Sequence, residues 1–147
     1  MIRLLTSAAL LLVPAVAFGQ VVINEVDADQ TGTDSEEFIE LRSAAPRQSL
    51  TGLAVVLYNG SDDASYDALD LDGFETDENG LFVIGSATVP NVDLTLAVAT
   101  NAIQNGADAV ALYQADAADF PNDTPVTSAG LLMPSCTART MGTTRVC

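Results

Sequence analysis

From residue 21 onward, apolar and polar residues alternate with a period of two in short runs, and no long stretch carries the three-to-four-residue spacing of an amphipathic helix. Six runs read as strands, at 21–26, 37–42, 53–58, 81–84, 94–97 and 109–113. Between them stand residues that tolerate turns: Gln30-Thr31-Gly32-Thr33, Pro46 and its neighbours, Asn59-Gly60-Ser61, Glu78-Asn79-Gly80, Pro90-Asn91 and Asn105-Gly106. Short strands at this spacing predict an all-β sandwich or barrel.

Alternation also assigns faces. In Glu37-Phe38-Ile39-Glu40-Leu41, residues 38 and 40 share one face and residues 37, 39 and 41 the other, so an acid lies among apolar residues whichever face is inward. A place at the end or edge of a strand would relieve that. The runs 53–58 and 109–113 are almost continuously apolar, which predicts strands covered on both faces and makes them the leading core candidates.

The first nineteen residues belong to a different pattern. Arg3 precedes an apolar run interrupted only by Pro14, and the small residues Ala17 and Gly19 stand before Gln20. This is the form of a cleavable export signal, residues 1–19, with cleavage after Gly19. A spanning helix needs roughly 20 apolar residues, and this run is shorter and holds a proline. No later segment is long and apolar enough to cross a bilayer, so a secreted or periplasmic protein without a transmembrane segment is expected.

Composition then excludes several chemistries. The chain carries a net charge of −15; its twenty acids all lie between Glu25 and Asp123, and only four arginines and no lysine follow Gly19. Direct binding to nucleic acid is not expected, because phosphate recognition draws on clustered Lys and Arg. Such a surface suits solubility, cation association or a saline habitat. With no His there is no Ser-His-Asp or Cys-His arrangement, no imidazole base and no typical zinc site. The two cysteines, Cys136 and Cys147, fall near the end of an exported chain, where an oxidising compartment favours their pairing as a disulfide. The alternative is a reactive thiol activated by Arg139 and Arg145.

Five segments in series carry a family resemblance. In order they are Ile23-Asn24-Glu25-Val26, Glu37-Phe38-Ile39-Glu40-Leu41, Leu50-Thr51-Gly52-Leu53, Gly80-Leu81-Phe82-Val83-Ile84-Gly85, and Gly106-Ala107-Asp108-Ala109-Val110-Ala111-Leu112-Tyr113. Each is a common strand with a turn. Together, in this order and with this spacing, they resemble the bacterial lamin-tail domain. The resemblance implies an immunoglobulin-like β-sandwich, found in exported proteins alone or beside extracellular hydrolase domains, where it is not the catalytic part.

The family continues into a further strand that closes the sandwich. Here residues 116–127 resemble the preceding loop, but after Gly130 the chain reads Leu131-Leu132-Met133-Pro134-Ser135-Cys136, and proline is a poor central-strand residue. Two alternatives stay open: a substituted or truncated terminus that lacks the closing strand, or a genuine tail closed by Cys136 and Cys147. The expected organisation is a signal at 1–19, a lamin-tail-like domain at 20–130 and an atypical tail at 131–147.

Two acidic segments invite chemistry. Asp27, Asp29, Asp34 and Glu36 surround a glycine turn in the manner of an oxygen-rich calcium loop. An EF-hand register counted from Asp27 places Phe38 where the bidentate glutamate belongs, so only a looser calcium site is compatible, against the simpler reading of a solvated hairpin. The stretch 62–78, with Tyr66 and Phe74 among its acids, reads as a long connection that caps a ligand face or is merely solvated. A carboxylate-pair glycosidase is disfavoured, since there is no Trp to stack a sugar and the domain is too small for a deep cleft. No catalytic residue and no cofactor other than calcium is expected. The leading function is an exported, non-catalytic module for recognition, anchoring or scaffolding, with an unknown protein or cell-surface partner. A calcium-dependent adhesion or scaffold domain and the detached accessory domain of a secreted hydrolase are the alternatives.

Overall fold

The structure, a computed structural model, describes residues 20–137. The expected signal at 1–19 lies outside the described residues. Eight strands run in chain order as β1 (Val21–Asp27), β2 (Phe38–Ser43), β3 (Leu53–Asn59), β4 (Ala64–Asp70), β5 (Leu81–Gly85), β6 (Leu94–Thr95), β7 (Asp108–Gln114) and β8 (Leu131–Thr137). They form two four-stranded sheets, β1-β2-β5-β6 and β4-β3-β7-β8, antiparallel throughout except where β6 joins β5 in parallel. One turn of 3-10 helix, Ala117–Asp119, follows β7. Of the all-β sandwich or barrel that the alternation predicts, the two-sheet sandwich is the observed architecture, and each of the six runs forms a strand, with 94–97 reduced to the two residues of β6.

The main core lies between the sheets. Ile23, Val26, Ile39, Leu41 and Ile84 from one sheet meet Val55, Leu57, Val110 and Leu112 from the other, all buried. The β1–β2 register carries a bulge: Ile23 faces Leu41 and Glu25 faces Glu40, so Asn24 is the extra residue. That one residue keeps Glu25 out of the core and brings Val26 into it.

A second apolar layer explains the continuous runs in β3 and β7. Their alternate residues Val56, Tyr58, Ala111 and Tyr113 are buried on the far face of the sheet, beneath Phe120 and the connection between β7 and β8. The Tyr113 and Phe120 rings lie 4.6 Å apart between centroids. The Tyr58 hydroxyl donates to that of Tyr113 (3.1 Å), which in turn donates to the Thr127 carbonyl (2.8 Å). The central strands are apolar on both faces because both faces are covered.

Two strands depart from the sequence reading. β8 pairs antiparallel along β7, from Tyr113 opposite Leu131 to Asp108 opposite Thr137, so the described chain does supply a closing strand and the sheet extends past Gly130. Pro134 is accommodated because β8 is an edge strand, where a missing N–H need not interrupt a ladder. Within 62–78, the expected long connection contains β4, the opposite edge of the same sheet, over Ala64–Asp70. Its register slips between Leu57 and Tyr58, leaving Tyr66 as the extra residue and breaking the period-two pattern by which it could have been read. Among the described residues no helix is long and apolar enough to cross a membrane.

Candidate functional site

The acids singled out between 27 and 37 lie at one end of the sandwich. There the β1–β2 connection meets the β3–β4 turn and the long crossover from β6 to β7. Gln30 organises the first loop. Its N–H donates to Asp34 Oδ1 (2.8 Å), its Nε2 donates to Asp27 Oδ1 (2.9 Å), and its Oε1 accepts from the Glu36 N–H (3.2 Å). Asn105 reaches in from the crossover, its Nδ2 donating to Asp34 Oδ2 (2.8 Å) and Asp29 Oδ1 (3.4 Å).

Glu37 stands immediately before β2 and is fully buried. Its two oxygens accept from the backbone N–H groups of Ala102 (2.8 Å) and Ile103 (2.9 Å). Burial raises its carboxyl above the ordinary value of 4.5, an effect the two N–H donors oppose and the nearby charges of Asp34 and Asp27 reinforce. The next amide, Gln104, donates to the Tyr66 hydroxyl (3.0 Å), whose pKa burial pushes up to about 12. Asp108 completes the set, one oxygen accepting from Gly60 N–H and the other from Gly106 N–H, both at 2.8 Å. A Cβ at Gly60 would lie 1.8 Å from the Ala107 carbonyl oxygen, so only glycine lets the turn and the crossover approach this closely.

These contacts say what the acids do locally. A crossover without ladder partners must find acceptors for its amides. Carboxylates are acceptor-only and make strong, charge-assisted bonds to N–H groups. Of the calcium candidates, Asp27, Asp29 and Asp34 are drawn together by Gln30 and Asn105, whereas Glu36 is exposed. Among the described residues no group of three or more Asp, Glu, His or Cys side chains is placed to hold a metal ion.

The second acidic stretch serves turns and strand ends. Asp77 lies below the usual carboxylate range, chiefly because the Leu81 N–H donates to it, with Asn79 adding to the effect. Asp72 accepts from Gly52 N–H (2.6 Å), and the exposed Arg47 pairs with Glu75 (3.3 Å) and Glu78 (2.7 Å). Cys136 is in β8, and Cys147 lies outside the described residues, as does the expected pairing of the two.

Apart from the calcium candidate Asp27, the outer face of sheet β1-β2-β5-β6 holds residues that the sequence pattern gave no site role. Glu25 is directly opposite Glu40, and Glu40 is opposite Val83. In the flanking rows Val22 faces Arg42, which faces Leu81, and Asp27 faces Phe38, which faces Gly85. Asn24 Nδ2 donates to Glu40 Oε1 at 2.6 Å. Alternation hinted at the faces, but only the register puts the two glutamates side by side. A scan of the chain against models of known protein families finds no match, and a search among curated proteins finds none either.

Proposed function

We propose that this chain is an exported, non-catalytic recognition or anchoring module of the lamin-tail type, built on an immunoglobulin-like sandwich. The observation that supports the reading is serial: the five resembling segments fall on β1, β2, the turn into β3, β5 and β7 of one two-sheet domain. The resemblance rests on those residues alone, since no family match accompanies it.

The chemistry of the loop-bearing end agrees with a non-catalytic role. The buried carboxylates of Asp34, Glu37 and Asp108 accept hydrogen bonds from their own chain and so fix loops in place. Loops held on a rigid sandwich are a common means of presenting a recognition surface.

The test expresses the chain with residues 1–19 attached in a bacterial host. The expected product is found outside the cytoplasm with Gln20 as its first residue by intact mass, and the purified protein turns over no nucleic acid, ester or glycan substrate. Retention in the cytoplasm with Met1 in place would overturn the export reading. Hydrolysis that disappears on replacing one carboxylate would overturn the non-catalytic one.

A further inference from the structure

The two sheets treat their outer faces differently. The far side of β3 and β7 is roofed by Phe120 and the β7–β8 connection. The far side of β1, β2 and β5 carries Val22, Phe38, Leu81 and Val83 half-buried, and the β5–β6 connection reaches its Gly85 end, through Val92. Phe38 lies across Gly85, where an added Cβ would meet the Phe38 Cβ at 3.0 Å and Val92 Cγ2 at 3.3 Å. These apolar side chains stand on one face of paired strands, at the spacing of the side chains of an approaching segment.

The charge on that strip is unbalanced. Glu25 and Glu40 oppose one another across the strand pair, an arrangement that costs stability when like charges face directly. Asp27 extends the acidic row toward the loop end, and Arg42 is the cation among the paired residues of the face. Asn24 bonds to one oxygen of Glu40, leaving Glu25 exposed. A sequence that keeps a locally unfavourable pair on an open surface commonly does so at a functional site. Cations brought by a partner would convert the repulsion into two attractions.

We infer that the outer face of the β1-β2-β5 strands is a docking surface for a basic protein segment in which Arg or Lys alternates with apolar side chains. Its cations lie against Glu25 and Glu40, and its apolar residues against Phe38, Val83 and Leu81. Alternation matches the pleat, since both kinds of side chain must meet one face at strand spacing. Complementary charge supplies the orientation, and the apolar strip supplies contact area. This inference deepens the recognition reading and rests on it.

The probe is a synthetic peptide of alternating Arg and Val or Phe, titrated into the isotope-labelled protein and followed by amide shifts and by fluorescence anisotropy. Binding is expected to shift amides of β1, β2 and β5. The double variant Glu25→Gln/Glu40→Gln is expected to weaken binding about tenfold, the scale of losing close charge pairs, and also to raise Tm by removing the facing charges. Phe38→Ala should weaken binding as well. Asp119→Asn/Asp123→Asn changes net charge equally on the loop that roofs the other sheet, and should leave affinity nearly unchanged.

Equal weakening by the two double variants would show general attraction to an acidic protein and overturn the inference. So would shifts confined to the loop end, an absence of binding at low salt, or a fall in Tm for Glu25→Gln/Glu40→Gln. An exported, inactive protein that ignores the peptide sinks this inference and leaves the module reading standing; a hydrolase that binds the peptide does the reverse.

Discussion

Glu37 shows how a single residue can be legible in its problem and not in its solution. Alternation groups it with Ile39 and Leu41 whichever face is inward, and a place at the end or edge of a strand is the relief it predicts. The relief found is more specific: two consecutive amides from a crossover more than sixty residues later in the chain, Ala102 and Ile103. Glu37→Gln leaves one of those N–H groups facing an amide nitrogen, so a loss of about 1–3 kcal/mol is expected from urea melts at neutral pH. The pH dependence has a definite sign. Because the folded carboxyl titrates above 4.5, the folded state holds the proton more tightly, and this residue's contribution to stability falls as pH rises from that value through its raised pKa. The Gln variant should lack that component of the decline; a variant whose stability tracks the parent at every pH would refute the assignment.

At the scale of elements, the connection between β7 and β8 acts as a third layer. Its Phe120 is buried against Tyr113, and Asp123 N–H donates to the Ser65 carbonyl (2.8 Å), tying the layer to β4. Phe120→Ala removes the largest apolar side chain of that roof and should cost about 3 kcal/mol, within the usual range for a buried Phe. Increased binding of a hydrophobic dye and faster proteolysis within 115–130 should accompany the loss. β8 makes a related point. A chain ending at Gly130 would leave β7 itself, with Val110 and Leu112, as an open edge, a template for pairing with another copy. Self-association measured by light scattering is the expected outcome, and a stable monomer of unchanged Tm would show that β8 contributes nothing. β8 was hard to read because Pro134 argues against a central strand and says little about an edge. β4 was hidden by its bulge.

For the whole molecule, the dominant fact is a net charge of −15. Exposed ion pairs such as those of Arg47 offset little of it, since solvent screens them and ordering two long side chains costs entropy. Repulsion among the acids should therefore limit stability at low ionic strength. Raising NaCl toward 1 M, where the screening length is about 3 Å, should raise Tm; a flat or falling response would contradict this account. A larger rise with calcium than with sodium at matched ionic strength would report a specific cation site, because a ligand held only by the folded state must stabilise it.

The sequence by itself determined the class of fold, because period-two alternation and turn residues are local properties that survive without knowledge of any partner. It also determined which strands would be buried on both faces, since a run such as 53–58 leaves no polar side to expose. Only the tertiary structure decided what the acids do. Whether a carboxylate is a metal ligand, a loop clamp or one of a facing pair depends on which distant amide or strand lies against it. That is set by register and by the crossover, as with Glu37 against Ile103 and Glu25 against Glu40. Local pattern carries the period of a strand; a bulge at Asn24 or Tyr66 shifts its faces, and only the paired strand shows where.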